Sequence, residues 1–249
     1  MKNFVTVYIT NHNYSKYLKK SIQSVLNQSY KKILLIIIDD NSKDNSKEIL
    51  KDYQKNERIK IFLNKKNKGL IKCANLALRN SKGKYIMRLD ADDYLSKNAI
   101  KYLINNIKNK KKTMMIFPNF FKISEKSKII SKYKYQSKSK YSLYDEPAHG
   151  ACCLINTNFL KKIGGYNELF DRQDGHYLWY SILSRKKNIC HINKFLFYYR
   201  MHQHNLSKQK KKILLTRLRI INFFLKRNLF IEEFNYQKNM TKKKLDLTK

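Results

Sequence analysis

Ile33-Leu-Leu-Ile-Ile-Ile38 is followed at once by Asp39-Asp40-Asn41-Ser42. Six consecutive apolar residues read as a strand buried on both faces, as strands of a parallel sheet are. The switch to acids and small polar residues marks the carboxyl end of that strand. The same grammar repeats on either side. Phe4-Val-Thr-Val-Tyr-Ile9 reads as a strand, and Asn11-His-Asn-Tyr14 as a polar loop. Ser15 is expected to cap a helix carrying Leu18, Ile22, Val25 and Leu26 at helical spacing. Downstream, Asp44 or Ser46 can cap a second helix that runs to Gln54. Ile59-Lys-Ile-Phe-Leu63 is a third strand. Asn67-Lys-Gly69 turns into a helix with Leu70, Ala74, Leu76 and Ala77, which Lys82-Gly83 is expected to end. Tyr85-Ile-Met-Arg-Leu89 delivers Asp90, and Ser96 is expected to cap a helix with Ile100, Leu103, Ile104 and Ile107.

This alternation predicts a doubly wound, mostly parallel α/β sheet over residues 1–117. Ligands in such sheets bind beyond the carboxyl ends of the strands. Thr10–Tyr14, Asp39–Ser42 and Asp90–Asp93 all fall there, so they are expected to converge on one crevice. Residues 123–144 are rich in Lys, Ser and Tyr with weak periodicity, and read as a mobile or partly ordered insertion. The pattern resumes at Gly150-Ala-Cys-Cys-Leu-Ile155 and contains Gly164-Gly165. A helix follows around residues 176–184, then the apolar segment Phe195–Tyr199. After Lys208 the chain reads as a basic amphipathic helix through Ile213–Leu225.

The chain has 249 residues, enough for one large α/β domain or one and a half. Its 54 basic and 18 acidic side chains give a net charge of +36. Such a charge attracts nucleic acid or an anionic membrane surface. The basic residues are mostly lysine and are spread along the chain, whereas base readers favour arginine. No nucleic-acid partner is therefore expected. The four cysteines form no C-x-x-C pair and read as free thiols in a reducing compartment. No apolar run reaches membrane-spanning length, and the N-terminus lacks a signal-peptide pattern. A cytoplasmic protein is expected, with peripheral contact at the inner face of the cell membrane as an option.

In so basic a chain, three acids within four residues, Asp90, Asp92 and Asp93, stand out. Like charges that close repel and cost stability unless a cation offsets them. Hard oxygen ligands suit Mg²⁺ or Mn²⁺, usually shared with a substrate's phosphates.

The motifs in order resemble family 2 glycosyltransferases of the GT-A fold. They are Val5-Thr-Val-Tyr-Ile-Thr-Asn-His-Asn-Tyr14, Ile38-Asp-Asp-Asn-Ser42, Asn67-Lys-Gly-Leu70, Leu89-Asp-Ala-Asp-Asp93, Gly164-Gly-Tyr-Asn-Glu168, Gln173-Asp-Gly-His-Tyr-Leu-Trp179 and Tyr199-Arg-Met-His202. The resemblance covers residues 3–207. It implies a catalytic domain over 1–207, with a nucleotide-sugar half at 1–117 and an acceptor and base half at 145–207. A basic helical tail would occupy 208–249. It further implies an inverting, metal-dependent transfer of a sugar from a nucleotide sugar, commonly UDP-linked, to an acceptor hydroxyl. The expected setting is bacterial surface polysaccharide or lipopolysaccharide synthesis, with a glycan or lipid-linked acceptor.

By the same resemblance, Asp92 ligates Mn²⁺ or Mg²⁺, Asp90 contacts the ribose or a metal-bound water, and Asp93 supports the site or simply caps the turn. Asp40 accepts a hydrogen bond from uracil, while Thr10, Asn13, Tyr14 and Lys68 complete the donor pocket. Asp174 is the candidate general base. The family usually presents Glu-Asp where this chain has Gln173-Asp174, so the first acid is neutral here. Arg200 and His202 lie in a segment that closes over the diphosphate, Arg200 as a phosphate partner and His202 as a metal ligand. Trp179 reads as core in preference to a sugar platform. His149, His191 and His204 read as surface or core histidines. The tail either lies on anionic lipid or packs on the catalytic domain. Two rival classes fit less well. A sugar nucleotidyltransferase needs a glycine-rich loop after the first strand, and Thr10–Tyr14 has no glycine. A nucleic-acid binder leaves the acidic crevice unexplained.

Overall fold

The computed structural model describes residues 4–203, 205, 208–228 and 230–248, so His204 lies outside the described residues. Strands β1 (Val5–Asn11), β2 (Ile33–Asp39), β3 (Ile59–Leu63) and β4 (Tyr85–Asp90) alternate with helices α1 (Ser15–Leu26), α2 (Ser46–Lys51) and α3 (Leu70–Asn80). The four strands run parallel in the order β3-β2-β1-β4. Every residue of β2 is buried, because helices cover both faces of the sheet. Leu35 and Ile37 pack with Leu18, Ile22 and Val25 of α1, whereas Ile36 and Ile38 pack on the opposite side with Ala74 and Ala77 of α3.

After β4 come β5 (Tyr94–Leu95), α4 (Ala99–Ile107), β6 (Thr113–Ile123), β7 (Ile129–Tyr133) and β8 (Leu154–Asn156). They are followed by α5 (Thr157–Lys162), α6 (Asp174–Leu183) and β9 (Asn188–Arg200). β8 runs antiparallel between β4 and β6, and β6 runs parallel to β9. The short β5 pairs antiparallel with β9, with Tyr94 opposite Tyr198. The product is one nine-stranded mixed sheet flanked by helices.

Several local expectations are corrected. Residues 123–144 are not a loose insertion. They form the β6–β7 hairpin and a packed loop, because their aromatic residues find partners: Tyr133 stacks on Phe120 at 4.8 Å, and Tyr141 meets Phe117 and Trp179 edge-on. Trp179 is fully buried and belongs to this core. Neither Ser15 nor Ser96 caps its helix with a side chain. Instead Asp44 accepts the Ser15 N–H at 2.8 Å and the Ser46 N–H at 3.0 Å, so one carboxylate serves the starts of both α1 and α2. Gly83 is not a helix terminator either, since α3 ends at Asn80 with Ser81 extended. A Cβ there would lie 2.3 Å from the Phe4 carbonyl oxygen, so glycine permits the close approach of two backbones.

The chain after Lys208 forms two helices, α7 (Lys210–Leu225) and α8 (Ile231–Asp246). Ile220, Ile221, Phe224 and Phe234 are buried in the same cluster as Tyr177 and Tyr180 of α6. Phe224 and Phe234 stack at 5.1 Å, which ties the two helices together. Leu215, Ile231 and Leu247 remain exposed. No helix among the described residues is long and apolar enough to cross a membrane.

Candidate active site

Strand register sets the site. Thr10 on β1 lies opposite Asp90 on β4 and next to Asn11, which lies opposite Asp39 on β2, so three polar carboxyl ends stand level. Asn13 and Asn41 adopt left-handed φ values of 63° and 64°, which Asn tolerates better than most residues. Their loops are laced together. Asn11 Nδ2 donates to Asp39 Oδ2 at 2.8 Å and to Ser42 Oγ at 3.0 Å, and the Asn13 N–H donates to Ser42 Oγ at 2.9 Å.

Beyond these ends lies a cavity of about 650 Å³. Thr10, Tyr14, Asp40, Asp90, Asp92 and Asp174 all line it, although 164 positions separate the first from the last. The expected convergence is thus present for those six. Asn13, Lys68, Arg200 and His202 are not part of the lining, His202 standing behind Asp92. Asn13 turns its Oδ1 to the Lys43 N–H at 2.7 Å. Lys68 is exposed and contributes a backbone N–H to Asp40 Oδ1 at 2.9 Å. Asp40 also accepts from Asn64 Nδ2 at 2.8 Å and, through Oδ2, from the Gly69 N–H at 2.8 Å. Three donors therefore fix the orientation of this buried carboxylate, and His12 Nδ1 rests 2.8 Å from its backbone carbonyl oxygen.

The acidic cluster is divided by its partners. Asp92 is buried, and its Oδ2 lies 2.7 Å from Nε2 of the buried His202. Asp93 is fully buried, and its Oδ1 accepts the Arg200 N–H at 2.7 Å. Burial, with Asp92 and Asp90 nearby, pushes the Asp93 carboxyl well above its usual range. Asp90 is raised to about 6, by burial first and then by Asp92 and Asp174, against the downward pull of Arg88. Arg200 donates through Nε to the Asp92 carbonyl at 2.7 Å and through Nη1 to the carbonyls of Ser124 at 2.9 Å and Glu125 at 2.7 Å. It is a brace that fastens the end of β9 to the acidic turn. His202 is held between Tyr14, edge-on at 5.6 Å, and Tyr17, stacked at 5.9 Å.

No three His, Cys, Asp or Glu side chains among the described residues form a ready-made metal cage. The Asp92–His202 pair supplies one oxygen and one nitrogen at a point of crowded, raised carboxyls. That donor set fits a hard divalent cation whose remaining positions belong to water and phosphate.

Asp174 is the first residue of α6 and follows Gln173, whose φ is 62°. Its Oδ2 accepts a 2.6 Å charge-assisted hydrogen bond from Nη1 of the buried Arg88. Arg88 Nε forms an ion pair with Asp90 Oδ1 at 3.0 Å, at an angle short of a hydrogen bond. One guanidinium therefore bridges two acids that line the cavity from different halves of the chain. Gly150 lies against this bridge: a Cβ there would stand 3.2 Å from Asp174 Oδ2 and 3.3 Å from Arg88 Nη2.

Arg88 and the lining residues His12, His176 and Arg217 were not singled out from sequence, and His149, expected as a surface or core histidine, lines the cavity. For Arg88 a signal exists, since a charge in the middle of the apolar strand Tyr85–Leu89 must find a buried partner. For Arg217 there is none, because it sits among many exposed basic residues.

The comparisons with known proteins agree with this fold. The model of glycosyl transferase family 2 matches residues 6–179. An uncharacterized glycosyltransferase of Methanocaldococcus jannaschii is 30% identical over 221 residues, covering 85% of this chain and 76% of that protein. An Escherichia coli protein, UDP-Glc:alpha-D-GlcNAc-diphosphoundecaprenol beta-1,3-glucosyltransferase, is 29% identical over 87% of this chain and 85% of its own length. Chondroitin synthase of Escherichia coli is 27% identical over 93% of this chain, but the match spans only 34% of that longer protein. Among solved structures, a mannosyltransferase of Pyrobaculum calidifontis with GDP-Man and Mn²⁺ superposes with a TM-score of 0.76 at 12% identity, covering 99% of this chain and 73% of that one. TarS residues 1–349 of S. aureus with UDP-GlcNAc gives 0.73 at 16% identity, covering 98% and 70%. These likenesses establish the GT-A fold, and the chain is a glycosyltransferase, a member of glycosyl transferase family 2.

Proposed function

We propose that the chain transfers a sugar from a UDP-linked donor to an acceptor hydroxyl with inversion at the anomeric carbon, in surface-glycan synthesis. The observation that carries the reading is the shared cavity, which gathers Asp40, Asp90, Asp92 and Asp174. Asp40, fixed by three donors, presents its remaining lone pairs to an N–H of the base, with Thr10 and Tyr14 beside it. Asn13 and Lys68 act through the loop backbone that shapes this end. Asp92 and His202 hold Mn²⁺ or Mg²⁺ with Asp90 close by, and the ion supplies Lewis-acid stabilisation of the leaving diphosphate. Arg200 serves by fixing the acidic turn.

Asp174 takes the proton of the acceptor hydroxyl as its oxygen bonds to the anomeric carbon and the bond to the diphosphate breaks. Arg88 holds Oδ2, and no hydrogen bond among the described residues occupies Oδ1, which is the oxygen available to the acceptor. A lipid-linked glycan is the acceptor class favoured, by analogy with the Escherichia coli glucosyltransferase named above.

The test is a thermal-shift screen against UDP-, GDP-, CMP- and dTDP-sugars with and without Mn²⁺. A ligand of the folded state raises the melting temperature with the logarithm of its concentration over Kd. UDP-sugars with Mn²⁺ are expected to give the largest shift. A larger shift with another nucleotide overturns the UDP assignment, and no shift with any of them overturns the donor reading.

A further inference from the structure

The cavity carries more than its acids. Besides Asp90, Asp92 and Asp174 it is lined by His176 of α6, by Glu146, and by Ile213 and Arg217 of α7. Ile213 and Arg217 stand four residues apart, hence on one face of α7. The family match ends at residue 179, so α7 lies beyond the region that the family model covers.

Arg217 is partly buried and its Nε is fully so, yet no carboxylate pairs with it and its Nε has no hydrogen-bond partner among the described residues. Glu146, an acid whose charge acts on it, is mostly exposed and lies 3.6 Å from Lys244. His176 Nε2 and the Tyr180 hydroxyl are likewise buried without partners among the described residues. Burial drives the His176 imidazole toward its neutral form, and Arg217 and Lys244 push the same way. A partly buried arginine without a counter-charge is costly, and so are unpaired donors around it. A bound anion removes both costs. Several donors around a guanidinium suit a group with several oxygens, and arginine's fork matches phosphate.

We infer that Arg217, with His176 beside it, forms a subsite for a phosphoryl group carried by the acceptor. The inference rests on the glycosyl-transfer reading and adds the acceptor's chemical class. It gives the C-terminal helix pair a role in substrate selection, since truncating it removes Arg217 from the cavity.

The test is calorimetric titration of the full chain with N-acetylglucosamine 1-phosphate and, separately, inorganic phosphate, both in chelator so that no metal recruits the anion. Arg217→Gln is expected to weaken the sugar phosphate roughly tenfold or more. Arg217→Lys, which keeps the charge but loses the fork, should weaken it several-fold. Lys211→Ala, an equal charge change at an exposed position on the same helix, should leave it unchanged. Equal loss in the Lys211 variant, or none in the Arg217 variants, overturns the subsite. Binding of inorganic phosphate without the sugar phosphate overturns the acceptor role. Should Arg217→Gln not fold, Arg217→Lys against Lys211→Ala decides. UDP with Mn²⁺, titrated into the same proteins, should bind all of them alike. Its failure to bind even the unaltered chain refutes the transfer reading separately, whatever the phosphates do.

Discussion

Arg88 Nη1 lies 2.6 Å from Asp174 Oδ2, joining a parallel strand of the first half to the first residue of a helix in the second. Both side chains are nearly fully enclosed. The pair fixes the carboxylate's position relative to the acidic turn, because the same guanidinium also holds Asp90.

Asp174→Asn keeps the shape and removes the basicity. Turnover should fall on the order of 100- to 10,000-fold, the usual contribution of a general base. UDP affinity should stay within about twofold, since hydrogen bonding at the donor end is untouched. Steady-state rates with equilibrium UDP binding check this. Lost UDP affinity would assign Asp174 a structural role.

Arg88→Met leaves Asp90 and Asp174 buried without their counter-charge. Breaking a buried pair from one side costs about 3–5 kcal/mol. Adding Asp174→Asn should return part of that loss, because the two sites share one interaction. Denaturant unfolding of the two single variants and the double measures the coupling. Strict additivity contradicts the bridge.

Strands β1 to β4 were legible because β2 is apolar at every residue and each strand ends in polar loops at a level register. That Asp90 and Asp92 line one cavity with Asp40 and Asp174 was legible because clustered acids stand out in so basic a chain and because Asp40 and Asp174 fall in motifs of the resemblance. Residues 123–144 were misread because their order comes from aromatic contacts distant in sequence, such as Tyr141 with Trp179. Those contacts leave no local period. Arg200 reads from sequence as a phosphate partner, yet its guanidinium is spent on backbone carbonyls, which spacing alone does not reveal.

Phe224→Ala should destabilise the whole chain. Its ring is buried against Tyr180 and Phe234, and deleting a core Phe costs about 3–5 kcal/mol. Removal of residues 209–248 should cost more and expose the α6 face to aggregation. Melting curves and sedimentation check both. A truncated chain with unchanged melting and altered only in membrane partitioning would instead make the tail a lipid-binding device.

His149 titrates at about 4, lowered by burial and then by Arg88. Its unfolded value is near 6.5. A group whose folded pKa is depressed binds fewer protons when folded, so its stabilisation is full above about pH 6.5 and is lost as pH falls toward 4. His149→Gln removes that loss. The variant's stability relative to the unaltered chain should therefore improve between pH 6.5 and 4. The gain should be on the order of 1–2 kcal/mol, since the ring sits at the cavity wall and is not wholly enclosed. Denaturant midpoints across that range test it, and parallel pH profiles contradict it.

The most direct measurement of the central claim is the affinity of UDP with and without Mn²⁺ for the unaltered chain, Asp92→Asn and Asp174→Asn. Mn²⁺ should tighten UDP at least tenfold in the unaltered chain and in Asp174→Asn, and have little effect in Asp92→Asn. Equal UDP affinity in all three proteins, indifferent to Mn²⁺, would contradict a metal-assisted donor site at Asp92.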